Sequence, residues 1–143
     1  MIYFDSSALV KRYIEEKGSD KINGLLRESS ISAVSRLAYP EILAAMTRRH
    51  KAKGIETGAF ERVKKAFKDD WSFLTVIELH HQVFQFIDEM IARYALKGAD
   101  SVQLSSALWL KKSTKGDVIF VASDPELIQA AKAEKLKVFN PEQ

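Results

Sequence analysis

Apolar residues follow two rhythms along this chain. Short, largely apolar stretches predict five strands: Ile2-Tyr3-Phe4, Ser30-Ile31-Ser32-Ala33-Val34, Phe73-Leu74-Thr75-Val76-Ile77, Val118-Ile119-Phe120-Val121 and Lys137-Val138-Phe139. Runs with so little polar alternation suit strands covered on both faces. Between them apolar residues recur every three or four positions, the spacing of one helix face. Leu9, Val10, Tyr13 and Ile14 predict a helix over Ser6 to Glu15, and Ile22, Leu25 and Leu26 a second over Lys17 to Ser29. Ser35 is a candidate N-cap or turn residue before a long helix expected from about Leu37 to Lys53. Pro40 fits only near the start of that helix, where a missing N–H has no partner to lose, and Gly54 fits just past its end. Phe60, Val63, Phe67 and Trp71 mark the next helix, and Val83, Ile87, Met90 and Tyr94 one that closes near Gly98. Asp100 opens another, to about Lys112, and Asp124-Pro125 starts the last.

This alternation over 143 residues predicts an α/β fold in three layers, with a central, mainly parallel five-stranded sheet and helices on both faces. Neither an internal repeat nor a low-complexity tract nor a linker interrupts it, and Lys115-Gly116-Asp117 reads as a turn. Residues 1–143 are therefore expected to form a single domain.

Composition narrows the setting. Hydrophobic residues make up 46% of the chain and charged residues 29%, values usual for a soluble globular protein. There is no cysteine, which excludes disulfides and thiolate metal sites. Met1 to Asp5 lack the basic and apolar regions of a signal peptide, and no apolar run nears the roughly 20 residues of a membrane span. A cytoplasmic protein without a membrane partner is the expectation. The net charge of +3 and pI of about 9.1 lean mildly toward an anionic partner.

Candidate chemistry rests on four acids, Asp5, Glu41, Asp100 and Asp124, each placed where a strand hands over to a helix or about one turn into a helix. Each has a purely structural reading. Asp5 suits a cap for the helix beginning at Ser6, Asp124 with Pro125 a cap and first residue, Asp100 with Gln103 a capping box, and Glu41 a first-turn acid favouring the helix dipole. Together they say more, because sites in open parallel sheets form outside the carboxyl ends of strands at a switch in strand order. Asp5 follows the first strand, Asp124 follows the fourth, and Asp100 opens the helix that leads to the fourth. Two carboxylates about 4 Å apart repel by about 4 kcal/mol at an effective dielectric near 20, so a gathered set takes up protons or a cation. Oxygen-only ligands select hard ions such as Mg²⁺ or Mn²⁺.

Four segments, in order, carry a resemblance: Asp5-Ser6-Ser7-Ala8-Leu9-Val10-Lys11-Arg12-Tyr13, Ser35-Arg36-Leu37-Ala38-Tyr39-Pro40-Glu41-Ile42, Gly98-Ala99-Asp100-Ser101-Val102-Gln103-Leu104 and Phe120-Val121-Ala122-Ser123-Asp124-Pro125-Glu126-Leu127. With them the chain resembles the PIN-domain family over its whole length, and within it the VapC-type toxin ribonucleases. The resemblance implies a five-stranded parallel sheet between helices and an acidic pocket for Mg²⁺ or Mn²⁺ formed by Asp5, Glu41, Asp100 and Asp124. It further implies a metal-dependent endoribonuclease leaving 5′-phosphate and 3′-hydroxyl ends, transfer RNA as substrate, a VapB-type antitoxin and a homodimer. Two positions depart from the family: Gln103 stands where many relatives have His, and Ala122 where Ser or Thr is common, with Ser123 adjacent.

In that reading Asp5, Asp100 and Glu41 are the preferred ligands, and Asp124 either binds a second metal or orients the attacking water. Ser7 and Ser123 are expected to support the acids by hydrogen bonds. Lys11, Arg12, Arg48 and Arg49 are candidate RNA contacts, against the plainer reading of solvated basic residues at helix ends. His80-His81 reads as surface or packing, since adjacent side chains diverge and no third nitrogen ligand accompanies them. The alternatives are a non-catalytic PIN module that binds RNA or protein, and a processing nuclease that is not a toxin.

Overall fold

Strand β1 (Ile2–Phe4), buried throughout, forms the centre of the sheet, hydrogen-bonded on both sides. It pairs with β2 (Ser32–Ser35) and with β4 (Ile119–Val121); β3 (Thr75–Ile77) lies beyond β2, and β5 (Lys137–Phe139) beyond β4. The order is β3-β2-β1-β4-β5 and every pairing is parallel. The structure, a computed structural model, describes every residue from Met1 to Gln143.

Because strand side chains alternate between faces, an all-apolar strand feeds two cores. Ile2, Phe4, Val34 and Val121 pack on one side against α1 (Ser6–Leu9), α2 (Ser19–Glu28), α3 (Ala38–Lys53) and α4 (Thr57–Trp71). Tyr3, Ala33, Ile77, Phe120 and Ala122 pack on the other against α5 (His81–Phe84), α6 (Ile87–Tyr94), α7 (Gly98–Thr114) and α8 (Pro125–Ala133). The three-layer α/β fold expected from the alternation is the one found. Connections out to β3 use the first layer, and those to β4 and β5 use the second. Crossovers of one hand therefore leave β1 and β4 in opposite directions, which opens a crevice at their carboxyl ends. No helix is long and apolar enough to cross a membrane.

Several element edges differ from the sequence reading. The first helix stops at Leu9 and continues only as a 3₁₀ turn over Val10–Arg12. Phe73 is not in a strand: the end of α4 tightens into a turn, with Phe73 N–H bonded to Asp70 C=O at 2.9 Å, and its ring is 88% exposed. The stretch read as one helix before Gly98 is two, α5 and α6, and α6 is closed by Ala95 in the left-handed region (φ 51°) rather than by Gly98. Gly98 is instead the first residue of α7, which places Asp100 inside the first turn and not at the cap. The capping-box reading of Asp100 with Gln103 fails for that reason: Lys97 occupies the cap position, and the Gln103 side chain is bonded elsewhere.

Candidate active site

Asp5 is the first residue beyond β1, and its N–H donates to Val121 C=O at 2.9 Å, so it leaves the sheet at the β1–β4 junction. Its side chain caps α1, Oδ2 accepting from the Ser7 N–H at 3.2 Å and from the Ser7 hydroxyl. Asp5 is only 4% exposed. Burial above all lifts its pKa to about 6, with the charges of Asp100 and Glu41 adding to the rise and the Ser7 hydrogen bonds opposing it. Asp124 caps α8 just past the carboxyl end of β4, Oδ1 accepting from Leu127 N–H at 3.0 Å, and is exposed.

The other two acids come from opposite layers. Glu41 lies in the first turn of α3, and Asp100 in the first turn of α7, which runs back toward β4 and so begins at the carboxyl edge of the sheet. Burial raises the Asp100 pKa, and the charges of Asp124 and Glu41 add to it, while Lys97 opposes. Asp5 thus senses Asp100 and Glu41, and Asp100 senses Asp124 and Glu41. Asp100 links all four acids by charge at the mouth of the crevice.

They do not form a finished ligand shell: no three of the acidic or histidine side chains stand close enough together to ligate one ion. Three of the acids have one oxygen drawn to neighbouring donors: Asp5 Oδ2 to Ser7, Asp124 Oδ1 to Leu127, and Glu41 Oε1 to Ser6 Oγ at 2.7 Å and Gln103 Nε2 at 2.9 Å. Each keeps a second carboxylate oxygen outside these bonds. That donor set, oxygen only and with one carboxylate held near pKa 6 by burial and, after it, by its acidic neighbours, fits a hard divalent cation.

Sequence reading gave no site role to Tyr3 or Ser6, and named Gln103 only as a capping partner and a departure from the family. Gln103 is 1% exposed; its Oε1 accepts from Tyr3 Oη at 2.6 Å and its Nε2 donates to Ser6 Oγ at 2.7 Å. One signal was available, since a residue three positions after Asp100 on a helix shares its face. Ser7 does hold Asp5, whereas Ser123 Oγ is buried without a hydrogen bond to Asp124.

The basic candidates divide. Lys11 is 5% exposed and lies between Glu16 (3.0 Å) and Glu142 (3.5 Å), and Arg12 is tied to Asp70 at 2.7 Å and Asn23 at 2.9 Å. Lys11 is closed to a phosphate by burial between its two carboxylate partners, and Arg12, though exposed, lines a separate hollow with Ser30, Ser32 and Asp70 rather than the groove that holds Glu41, a correction that only the folded chain supplies. Arg48 lines a groove of about 470 Å³ together with Ser6, Ser7, Glu41, Ala44 and Ala45; Arg49 lies outside it. His80 packs edge-on against Trp109 at 4.7 Å, the packing reading.

No family model matches the chain. Two curated proteins of Mycobacterium tuberculosis do: Ribonuclease VapC45 of strain CDC 1551 / Oshkosh and Ribonuclease VapC49 of strain ATCC 25618 / H37Rv. Each is 33% identical over 108 residues, covering 76% of this chain and 75% of the relative. Among solved structures, DNA-bound VapBC from Salmonella typhimurium matches with a TM-score of 0.68 and 11% identity, over 98% of this chain and 97% of that one, a likeness of fold.

Proposed function

The chain belongs to the VapC ribonuclease family, and from that premise we propose that it is the toxin of a VapBC-type toxin–antitoxin pair, cleaving RNA at the acidic mouth. In this reading Asp5, Glu41 and Asp100 hold Mg²⁺ or Mn²⁺. The observation that supports it most is the coupling of three carboxylates from β1, α3 and α7 at one strand junction, with Asp5 at a pKa of about 6. When bound, such an ion supplies Lewis acidity and an activated water for phosphodiester hydrolysis.

The protein's own groups do the rest. Ser7 orients Asp5 by engaging Oδ2. Asp124, which caps α8 through one oxygen and is exposed, accepts a hydrogen bond from the attacking water and so aims it. Ala44 and Ala45 leave the groove floor low enough for a sugar-phosphate strand, and Arg48, two helical turns beyond Glu41 on the same face, pairs with a phosphate. The products are 5′-phosphate and 3′-hydroxyl ends. Transfer RNA is the proposed substrate and the cytoplasm the place of action. The protein acts as a homodimer and is silenced by a VapB-type antitoxin covering the mouth.

The test is cleavage of labelled transfer RNA and unstructured RNA by the purified protein with Mg²⁺, with Mn²⁺ or with EDTA, beside Asp100→Asn. Cutting is expected only with metal and to drop at least about 100-fold in the variant. Absence of cutting by folded protein on every RNA would leave a non-catalytic binding module instead. Arg48→Ala is expected to raise KM similarly for all sequences, with kcat little changed, and to reduce the salt slope of RNA binding by about 1. Titrations at several ionic strengths read this; an unchanged slope would remove Arg48 from the phosphate path.

A further inference from the structure

Beneath the acidic mouth one neutral side chain links three elements. Gln103 of α7 is 1% exposed, and both ends of its amide are hydrogen-bonded. Oε1 accepts from Tyr3 Oη of β1 at 2.6 Å, and Nε2 donates both to Ser6 Oγ at 2.7 Å and to Glu41 Oε1 at 2.9 Å. The Ser6 hydroxyl donates to the same Glu41 oxygen at 2.7 Å. An ionised carboxylate only accepts, so the amide has one workable orientation: turned over, Gln103 Oε1 would face Glu41 Oε1 with no hydrogen between them. Burial and the nearby Asp5 charge hold the Tyr3 phenol well above its usual pKa, so it remains a donor to the other end.

We propose that Gln103 is a positioning residue that clamps Glu41 Oε1 against Ser6 and leaves Oε2 as the oxygen presented to a divalent cation. This rests on the reading of the mouth as a cation site. A neutral amide suits the task, because it donates to Glu41 without altering the charge of the cluster. Asp100 lies three residues upstream on the same helix face, so α7 sets one acid directly and, through Gln103, a second acid on the opposite layer. The partners are far apart in sequence, 97 positions for Ser6 and 62 for Glu41, so the clamp exists only once both layers have closed on the sheet.

The experiment is calorimetric titration of the metal-stripped protein with Mn²⁺, for the wild type, Asp5→Asn, Gln103→Met, Glu41→Gln and the double variant Glu41→Gln/Gln103→Met. Folding is verified by circular dichroism. Gln103→Met keeps the length of the side chain but removes its donors, and it is expected to weaken Mn²⁺ binding by about 10- to 100-fold. On the Glu41→Gln background the same change is expected to cost less than about threefold, because its effect passes through Glu41. Wild-type affinity in Gln103→Met overturns the proposal, as does an equal loss on both backgrounds, the mark of a merely structural role. If the wild type binds no Mn²⁺, or Asp5→Asn binds as well as the wild type, the cation reading fails and the clamp with it. Should Gln103→Met not fold, Ser6→Ala, which removes the second donor to the same oxygen, carries the same expectation.

Discussion

Asp5→Asn is expected to abolish metal-dependent RNA cleavage and, at the same time, to raise the melting temperature of the metal-free protein at pH 7. The two effects share one cause. Asp5 is 4% exposed, and burial with Asp100 and Glu41 nearby moves its pKa from 3.8 to about 6. Ionising it in the folded protein therefore costs of the order of 3 kcal/mol relative to the unfolded chain. With a folded pKa above the unfolded one, this cost is fully present above about pH 6, shrinks as pH falls, and is gone below 3.8. The metal-free wild type should gain stability on acidification from pH 7 to pH 5, and Asp5→Asn should gain less, keeping only the part that comes from Asp100. Asn keeps a side-chain oxygen for the Ser7 donors and carries no charge, so at pH 7 its melting temperature should exceed the wild type's by roughly 10 °C. Mn²⁺ should raise the wild-type value at pH 7 and do so less at pH 5, where protons compete for the same oxygens. Melting curves at the two pH values, with and without Mn²⁺, test this. A destabilisation of Asp5→Asn equal at both would sink the electrostatic account, and retained cleavage would remove Asp5 from the site.

Phe120→Ala is expected to cost about 3–5 kcal/mol, a large part of the 5–15 kcal/mol that typically holds a domain together. Phe120 is fully buried on β4, its ring stacked on Tyr3 with centroids 5.5 Å apart and planes 6° from parallel. Removing it empties the larger core at the point where β4 must hold the start of α8 and Asp124 in place. Urea unfolding should show a lower midpoint with an unchanged m-value. A loss under about 1 kcal/mol would mean that the α7–α8 layer collapses into the cavity. Phe73→Ala is the control: at 88% exposure it should change stability by no more than about 0.5 kcal/mol.

The contrast between those two phenylalanines marks the reach of sequence reading. Phe73 and Phe120 both sit in short apolar runs, and both were read as strand. What separates them is the turn that closes α4, where Phe73 N–H bonds Asp70 C=O, an outcome apolar periodicity does not encode. Helix edges slipped for similar reasons, as at Ala95, which adopts the left-handed conformation expected of Gly98.

By itself, the sequence determined the alternation of strands and helices, the two-faced burial of the strands, and the positions of Asp5, Glu41 and Asp124 relative to their own elements. These are local properties, written in spacing, caps and prolines. Tertiary structure alone decided which groups serve the mouth. Lys11 was lost to it because Glu16 and Glu142 enclose its ammonium, and Arg12 because Asp70, 58 positions away, holds it over a different hollow. Tyr3, Ser6 and Gln103 were gained because parallel crossovers on opposite faces bring β1, α3 and α7 to one crevice. A hydrogen bond between residues 100 apart leaves no periodicity in the chain; it follows from strand order, and only the folded sheet supplies that.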